Sequence, residues 1–469
     1  NIIYQGSSDE TEWSLISYLG RINYNFKNRY YVTASLRSDG SSRFGRDNKY
    51  GFFPSGALAW RISDEDFLKN LSFLNDMKLR TSYGETGNNN IGNYAHIATI
   101  NYESYPFGGS AVGGYAPSQF ANNLLTWEKQ KSFNVGMDVS MFESRLSFNV
   151  DYFKTTNHKL LLNVYVPLIT GFNTSLQNIG EVENNGWEFT LNSRNFVGDF
   201  SWTTDFNISR FRNKVVKLGP EGAPIISTSH ITQIGQPMGM FYGYKLDGVF
   251  MNQEELERGP IYGIGTVSES RVGDLRFEDI SGPDGKPDGL INTYDKQIIG
   301  SPYPDFYYGM TNTFSYKNLS LSVTLQGSYG NEVMMVNDYL YYTRARYKQL
   351  AVNRNYWKSE EEPGDGWNPR PNNSPTGGNR ERSNRHIDTG TYLKINNINL
   401  GYTFDEQMAR KLYLSSLRVY LNANNPFMFT KFRLYNPEVS HSSNPLQPGI
   451  FNSNYPVAKS LSIGLSAIF

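Results

Sequence analysis

Hydrophobic and polar residues alternate along most of the chain. In the segment 145–152, Arg-Leu-Ser-Phe-Asn-Val-Asp-Tyr, the apolar side chains share one set of alternate positions and the polar side chains share the other. The same alternation recurs in the segments 133–140, 200–208, 319–326 and 461–469. Successive side chains of a β-strand point to opposite faces, so this period of two predicts strands with one apolar and one polar face.

The predicted strands are long, and they are joined in an uneven way. Soluble strands have about 5–6 residues, whereas a tilted strand needs about 9–11 to cross a bilayer. Strand pairs are joined by short polar turns at Lys27-Asn28, Glu143-Ser144 and Lys317-Asn318. Long segments separate the pairs: 87–125, 157–183, 213–302 and 331–388. Short turns at one end and long loops at the other predict an all-β, transmembrane antiparallel barrel with long extracellular loops.

The number of predicted strands bears on domain organisation. We count about 13 strands between Trp13 and Phe469, whereas a complete bacterial barrel has an even number. Residues 1–469 are therefore expected to form part of a barrel. The alternative is a soluble β-sandwich or solenoid, whose solvent face would carry Lys, Glu and Arg. Here the polar face is mainly Ser, Thr, Asn and Gly, which suits a water-filled or plugged lumen.

Composition excludes several classes of protein. The 44 Lys+Arg balance 44 Asp+Glu, so the basic excess typical of a nucleic-acid-binding protein is absent. With no cysteine, disulfides, thiol nucleophiles and Cys-ligated zinc are excluded. No apolar run is long enough for a transmembrane helix. Aromatic residues make up 15% of the chain, which argues against disorder.

Three stretches interrupt the alternation. Residues 63–66 predict a short helical segment with Ser63 as its N-cap. Residues 405–414 predict a short helix within a turn. Residues 333–357 are compatible with a helix inside a long loop.

Oxygen-bearing side chains recur in the segment 273–300. They are Asp279, Ser281, Asp284, Asp288, Asn292 and Asp295. Ca²⁺ takes six to eight oxygen ligands, and the intervening glycines would let the chain wrap around an ion. The spacing resembles a stretched EF-hand loop that lacks the terminal Glu. We therefore predict a structural Ca²⁺ or Mg²⁺ site, with a plain acidic turn loop as the alternative.

Two of the long loops are rich in aromatic side chains. The candidates for contact with a ligand or partner are Tyr102, Tyr105, Phe107, Tyr339, Tyr341, Tyr342, Arg344 and Trp357. Aromatic faces beside hydrogen-bonding groups suit sugars, peptides or a protein partner. The alternative is that these rings lie in an interfacial girdle or pack within the loops.

Nothing in the sequence predicts catalysis. The five histidines are far apart and none lies in an H-E-x-x-H motif, so each is expected to be a loop residue. No G-x-S-x-G motif is present. We therefore do not expect an enzyme.

Several motifs together resemble the SusC/RagA class of TonB-dependent outer-membrane transporters of Bacteroidetes. They are Arg37–Gly45 (RSDGSSRFG), Phe53–Ser55, Ala59–Arg61, Leu79–Asn88 (LRTSYGETGN), Leu125–Glu128, Ile299–Phe306 (IGSPYPDF), Gly390–Lys394, Leu417–Tyr420, Asn424–Phe427, Asn436–Ser440 and the closing strand that ends at Phe469. The resemblance covers essentially the whole chain.

This resemblance implies a 22-stranded barrel with a plugged lumen in the bacterial outer membrane. Residues 1–469 would be the C-terminal part of the receptor barrel, without the plug domain and the first strands. It also implies import of oligosaccharides or oligopeptides, with a SusD-like surface lipoprotein as a lid and energy from TonB through the missing N-terminal region. The outward-facing segments would be 87–125, 213–302 and 331–388. Two alternatives remain open: a passive or structural barrel in an envelope complex, and an outer-membrane enzyme.

Overall fold

The computed structural model describes residues 8, 10–119, 121–165, 169, 171–172, 174–219, 221–264, 267–336, 354–371, 376–439, 444–452 and 455–469. The chain divides into two compact units. The first is Asn1–Phe189 with Asn213–Ala223, and the second is Thr190–Arg212 with Pro224–Phe469. Strands dominate both units, as the alternation predicts.

The strands that begin in the first unit are mostly long. They are β1 (Leu15–Phe26), β2 (Tyr30–Ser41), β3 (Tyr50–Arg61), β4 (Leu74–Asn88), β5 (Thr99–Phe107), β6 (Ser110–Gln119), β7 (Glu128–Met141), β8 (Leu146–Tyr165) and β9 (Thr174–Phe196). Antiparallel pairing links β1 to β2, β2 to β3, β3 to β4, β4 to β7, and β7 to β8. Strands β5 and β6 form a separate two-stranded hairpin in the loop that connects β4 to β7.

The remaining strands include long strands of the main sheet and short strands within the loops. They are β10 (Phe200–Lys217), β11 (Ile225–Ile226), β12 (His230–Thr232), β13 (Met240–Gly243), β14 (Leu246–Val249), β15 (Ile261–Ile264), β16 (Val267–Ser268), β17 (Leu275–Phe277), β18 (Leu290–Ile291), β19 (Gln297–Gly300), β20 (Phe306–Tyr316), β21 (Leu319–Tyr329), β22 (Glu332–Met335), β23 (Ile387–Thr389), β24 (Tyr392–Thr403), β25 (Ser416–Thr430), β26 (Ile450–Phe451) and β27 (Ser460–Ile468). Two α-helices are described, α1 (Gln253–Arg258) and α2 (Glu406–Lys411). Short 3₁₀ turns lie at Arg46–Asn48, Ile62–Asp64, Thr293–Asp295, Thr376–Gly378 and Asn384–His386.

Over the described residues the main sheet has thirteen strands, in agreement with the count from sequence. Their order is β1-β2-β3-β4-β7-β8-β9-β10-β20-β21-β24-β25-β27. The order follows the chain because each long strand pairs with the next one and the short strands lie in loops. Among the described residues β1 has β2 as its single neighbour, and β27 has β25.

The predicted tight turns are confirmed. Lys27 and Asn28 have φ of 53° and 54°, which is the left-handed pair that a type I′ hairpin turn requires. At the turn between β7 and β8, Glu143 and Ser144 are also left-handed, and Lys317 has a φ of 49°. These short turns lie at one end of the strands, and the long loops follow the other end.

The helix predictions have mixed outcomes. The helix predicted at 405–414 is confirmed as α2. The segment at residue 63 is a 3₁₀ turn capped by Arg61, so Ser63 as N-cap is wrong; its hydroxyl donates to Asp76 Oδ1 at 3.1 Å instead. Residues 333–335 belong to β22, and 337–353 lie outside the described residues. In the part of the chain that the structure describes, no helix is long and apolar enough to cross a membrane.

The long strands have an apolar face and a polar face. On the apolar face of β4, β7 and β8, the cross-strand partners include Leu79↔Met137, Val139↔Phe148 and Val135↔Tyr152. Aromatic rings lie at both ends of this face. Near the loop ends lie Tyr83, Phe133, Tyr152 and Trp187, with the rings of Tyr152 and Trp187 4.8 Å apart. Near the turn ends, the rings of Phe73 and Phe142 are 6.1 Å apart.

The spacing of the two aromatic rows matches a bilayer. Phe133 and Met141 are eight residues apart on β7, which is about 26 Å at ~3.3 Å per residue. The strands of outer-membrane barrels tilt by about 35–45° and present an apolar band about 25 Å tall. Even when tilted, the apolar run on β7 covers most of such a band.

Candidate functional site

An ion network lies on the polar face of the first unit. Arg80 on β4 donates two hydrogen bonds of 2.7 Å to the carboxylate of Asp151 on β8. It also donates to Asp138 on β7 at 3.0–3.1 Å. Asn149 donates a further 2.6 Å hydrogen bond to Asp138. One guanidinium therefore links three strands through charge-assisted bonds.

Gly136 makes room for this network. It lies opposite Arg80 on one side and opposite Asp151 on the other. A Cβ atom at this position would clash with Asp151 Oδ1 and would lie 2.7 Å from the guanidinium carbon of Arg80. This cluster is not among the residues that the sequence pattern predicts. The available signal was an arginine and two aspartates on the polar positions of neighbouring strands.

Replacing Arg80 should destabilise the first unit. In Arg80→Met the carboxylates of Asp138 and Asp151 lose their shared cation, and we expect a loss of about 1–3 kcal/mol in unfolding free energy. Urea unfolding of the folded protein in detergent measures this. The triple variant R80M/D138N/D151N should recover part of the loss because no unpaired charge remains. If it is no more stable than R80M, mutual neutralisation is not the role of the network.

The polar face of the second unit carries neutral hydroxyl and amide side chains. Asn397 on β24 donates to Asn422 and Asn424 on β25, both at 2.8 Å. Near the loop ends Lys394 pairs with Glu438 at 2.9 Å. Such a surface offers hydrogen-bond donors and acceptors to a polar solute, and it does not create a large electrostatic potential of one sign.

The aromatic residues Tyr102, Tyr105 and Phe107 all lie on the hairpin β5–β6. Their exposed fractions are 64%, 69% and 74%. Tyr102 faces Tyr115 across the hairpin with ring centroids 5.9 Å apart. By alternation along β5, Tyr102 lies on one face and Tyr105 and Phe107 on the other. Both faces of the hairpin therefore present exposed rings.

The second predicted aromatic loop is described only in part. Tyr339, Tyr341, Tyr342 and Arg344 lie outside the described residues. Trp357 packs against the core cluster that contains Val249 and Leu275, and its indole donates to the backbone oxygen of Met251 at 3.3 Å. Its contacts are those of a packing residue, and a role in ligand contact stays a prediction for it.

The acidic loop is organised by Asp295, whose side chain is fully buried. Its Oδ1 accepts from the backbone N–H groups of Ile280 and Ser281 at 2.9 and 3.2 Å, and its Oδ2 accepts from that of Asn292 at 2.8 Å. Asn292 in turn accepts from the N–H of Tyr294 at 2.8 Å. The carboxylate thus closes the loop by satisfying three backbone donors.

The other predicted cation ligands also serve the backbone. Asp279 Oδ2 accepts from the N–H of Gly289 at 2.6 Å, and Asp288 Oδ1 accepts from that of Leu290 at 2.9 Å. Asp284 is exposed, and the hydroxyl of Ser281 donates to the oxygen of Gly282 at 3.4 Å. Within the described ranges, no group of three or more His, Cys, Asp or Glu side chains could hold a metal ion. The side chains as placed form turns rather than a cation cage, and the Ca²⁺ or Mg²⁺ site stays a prediction.

Two histidines in the loops of the second unit are core residues. His230 Nε2 lies 2.9 Å from the backbone oxygen of Pro448, and burial lowers the pKa of this imidazole. Burial and the nearby charges of Arg382 and Arg385 hold the pKa of His386 well below its ordinary value. Burial also raises the pKa of Tyr303 to about 12, and its hydroxyl donates to Met238 O at 2.7 Å. These groups stay uncharged near neutral pH and act in packing.

Comparison with known proteins gives consistent matches. A family model described as TonB dependent receptor-like, beta-barrel matches residues 2–254. TonB-dependent receptor P3 of Formosa agariphila is 35% identical over 489 residues, covering 100% of this chain and 47% of that protein. TonB-dependent receptor SusC of Bacteroides thetaiotaomicron is 32% identical over 483 residues, covering 98% of this chain and 44% of that protein.

A solved structure shows the same fold. The RagAB peptide transporter superposes with a TM-score of 0.79 and 25% identity, covering 97% of this chain and 47% of that chain. The chain therefore spans a little under half the length of the relatives that it matches.

Proposed function

Since the chain belongs to the TonB-dependent receptor-like β-barrel family, in its SusC/RagA class, we propose that the full-length protein actively imports oligosaccharides or oligopeptides. The family places the chain in the bacterial outer membrane. The observation that carries the proposal is the match of essentially the whole chain to receptors of this class. Import would be energised through TonB.

The two strand faces support this proposal. The apolar face with its aromatic rows suits contact with lipid, and the polar face with its amides and paired charges suits a hydrated lumen. The peptide transport named for RagAB is consistent with an oligopeptide substrate. The oligosaccharide alternative rests on the resemblance of the chain to the SusC/RagA class. Nothing described in the loops favours catalysis over binding.

The sheet edges support further strands beside β1 and β27. Every residue of β1 is exposed, and its outer edge has no neighbour among the described strands. Unpaired backbone groups are costly in the hydrocarbon region of a membrane, so an open edge there requires pairing. We propose that residues 1–469 form the C-terminal part of the barrel and that other strands of the full-length protein complete it. The full-length protein would also supply the plug domain and the contact with TonB.

The hairpin β5–β6 is the surface that we propose for a SusD-like lipoprotein. A two-stranded hairpin is only marginally stable alone in water, and this one exposes rings on both faces. In Tyr105→Ala/Phe107→Ala the lipoprotein captured by the tagged receptor should fall severalfold. The matched control L412A/Y413A removes two exposed apolar side chains from the turn between β24 and β25 and should leave capture unchanged. Equal capture by both variants would contradict this assignment.

Uptake in whole cells tests the proposed function. A strain that lacks the receptor is complemented with the full-length gene and supplied with fluorescent oligosaccharides and oligopeptides. We expect uptake of at least one class, and we expect that uptake to stop when TonB is deleted. Uptake that persists without TonB would indicate a passive barrel, and turnover of substrate by purified receptor would indicate an enzyme. A complemented strain that takes up none of the probes would contradict import.

A further inference from the structure

In the second unit, donors on two strands of the main sheet bind one carboxylate that comes from a loop. Glu438 lies in the segment 431–439, which follows β25. Its Oε2 accepts from Lys394 Nζ at 2.9 Å, and its Oε1 accepts from Gln326 Nε2 at 3.0 Å. The hydroxyl of Tyr392 interacts with the same carboxylate. Each oxygen of the carboxylate therefore has its own charge-assisted hydrogen bond.

The main sheet holds these donors in place. Gln326 on β21 and Lys394 on β24 are directly opposite each other. Tyr392 lies two residues before Lys394 and shares its face. This is the polar face, because Gln326 occupies the same alternate positions of β21 as Ser322 and Thr324. The register between the strands thus places an ammonium, an amide and a phenol side by side near the loop ends.

The ammonium of Lys394 depends on this carboxylate for its charge balance. Lys394 is only 6% exposed, whereas the side chain of Glu438 is 23% exposed. Within the part of the chain that the structure describes, Glu438 supplies the one carboxylate within 4.0 Å of Lys394 Nζ. A buried ammonium without a partner is costly, so an anion that replaces Glu438 here is stabilised by the same charge.

The segment that carries Glu438 is anchored by other contacts. Leu434 and Val439, on either side of Glu438, pack against the core cluster that includes Phe432. The N–H of Glu438 donates to Asn436 Oδ1 at 2.9 Å. The backbone therefore keeps its place without the ion pair, and rotation of the Glu438 side chain alone vacates the site.

We propose that Lys394, Gln326 and Tyr392 form a binding site for a carboxylate of the imported solute, which Glu438 occupies until the solute displaces it. The observation that selects this ligand is the carboxylate already bound there, because the three donors fit that group. Asn397 and its amide partners on β25 continue along the same face, so a polar chain attached to the carboxylate finds further hydrogen-bonding groups. The C-terminus of an oligopeptide supplies such a carboxylate, and an acidic oligosaccharide is the other source of the same chemistry. The proposal rests on the import function proposed above.

Retention of peptides by the purified full-length receptor tests the proposal. The probe is a mixture of short peptides of random sequence with free C-terminal carboxylates, compared with the same mixture as C-terminal amides, and mass spectrometry measures what the receptor retains. We expect the unchanged receptor to retain the acids at least about fivefold more than the amides, since hydrogen bonds to charged groups contribute more than neutral ones. Lys394→Gln should abolish this preference. Glu438→Gln should raise the retention of acids, because the competing carboxylate is gone.

The matched control is Glu183→Gln. This change removes the carboxylate of another ion pair between strands, 2.8 Å from Lys154 Nζ, and should leave the retention of acids unchanged. The double variant K394Q/E438Q leaves no unpaired charge, and it too should show no preference for acids. Heat-dependent mobility on a gel checks that each variant is folded.

Retention of acids that stays equal or falls in Glu438→Gln would overturn the proposal, because Glu438 would then support the site rather than compete for it. A preference for acids that survives in Lys394→Gln would do the same. If the receptor retains neither peptide mixture, oligogalacturonate and its methyl ester replace the peptides, and equal retention of these two overturns the proposal. Retention is measured apart from uptake in cells, so a receptor that imports solutes without preferring acids contradicts this site and leaves the import function standing.

Discussion

Val323→Arg should lower the unfolding free energy of the protein in a membrane by about 2–4 kcal/mol. Val323 lies near the middle of β21 on the apolar face, opposite Ile398 of β24. A charged arginine at the bilayer midplane costs about 2–4 kcal/mol on the lipid face of an outer-membrane barrel. Urea unfolding of the full-length protein in lipid vesicles measures the loss, and the fraction that resists heat on a gel gives an independent reading.

The neighbouring residue provides the control. Thr324 lies on the polar face, where its hydroxyl is 3.1 Å from that of Thr311 on β20. Thr324→Arg adds the same side chain one residue away but directs it to the polar face, so we expect a loss below about 1 kcal/mol. If both variants lose the same stability, or if Thr324→Arg loses more, the assignment of the two faces is wrong.

Asp295→Ala should unfold the acidic loop locally. Its carboxylate accepts three backbone hydrogen bonds in a fully buried position, and removal leaves the N–H groups of Ile280, Ser281 and Asn292 without an acceptor. Each buried donor left unpaired costs about 1–3 kcal/mol, so we expect the segment 279–295 to lose most of its protection. Hydrogen exchange of backbone amides in this segment measures the change.

Asp284→Asn is the control for this loop and also tests the predicted cation. Asp284 is exposed, so its change should leave amide exchange as it is when no divalent ion is added. If Ca²⁺ binds, millimolar Ca²⁺ should slow exchange of the unchanged loop and alter Tyr294 fluorescence, and D284N should weaken both responses. No response of the unchanged loop would exclude the cation. Wild-type protection in D295A would contradict the role of the carboxylate.

The sequence was sufficient to predict the long strands and their faces because the information is local. Alternation over one strand is enough to assign a face, as at 145–152 and 319–326, and the left-handed turn at Lys27-Asn28 follows from two residues. The number of strands in the main sheet follows from the same alternation. The short helix at 405–414 has its own local signal in its composition.

The loops were harder to predict because their structure depends on partners that are distant in sequence. Trp357 is predicted from its loop to contact a ligand, which stays a prediction, whereas its packing on a core built from β14 and β17 depends on residues that are distant in sequence. Residue 333 looked helical, but it lies in β22, which pairs with β23 and β26. A short strand is stabilised by the strands beside it, so its own residues carry little of the signal.

The sequence by itself determined that hydrophobic and polar residues alternate as they do in membrane strands. It also determined the short turns, the long loops and the motifs of the SusC/RagA class. Only the tertiary structure decided which charges meet. It joins Arg80 to Asp138 and Asp151, buries Asp295 among backbone donors, and places Glu438 against Lys394 and Gln326. The physical reason is that a strand face is set by alternation between adjacent residues, whereas a charge cluster is set by the register between strands, which only the paired backbone fixes.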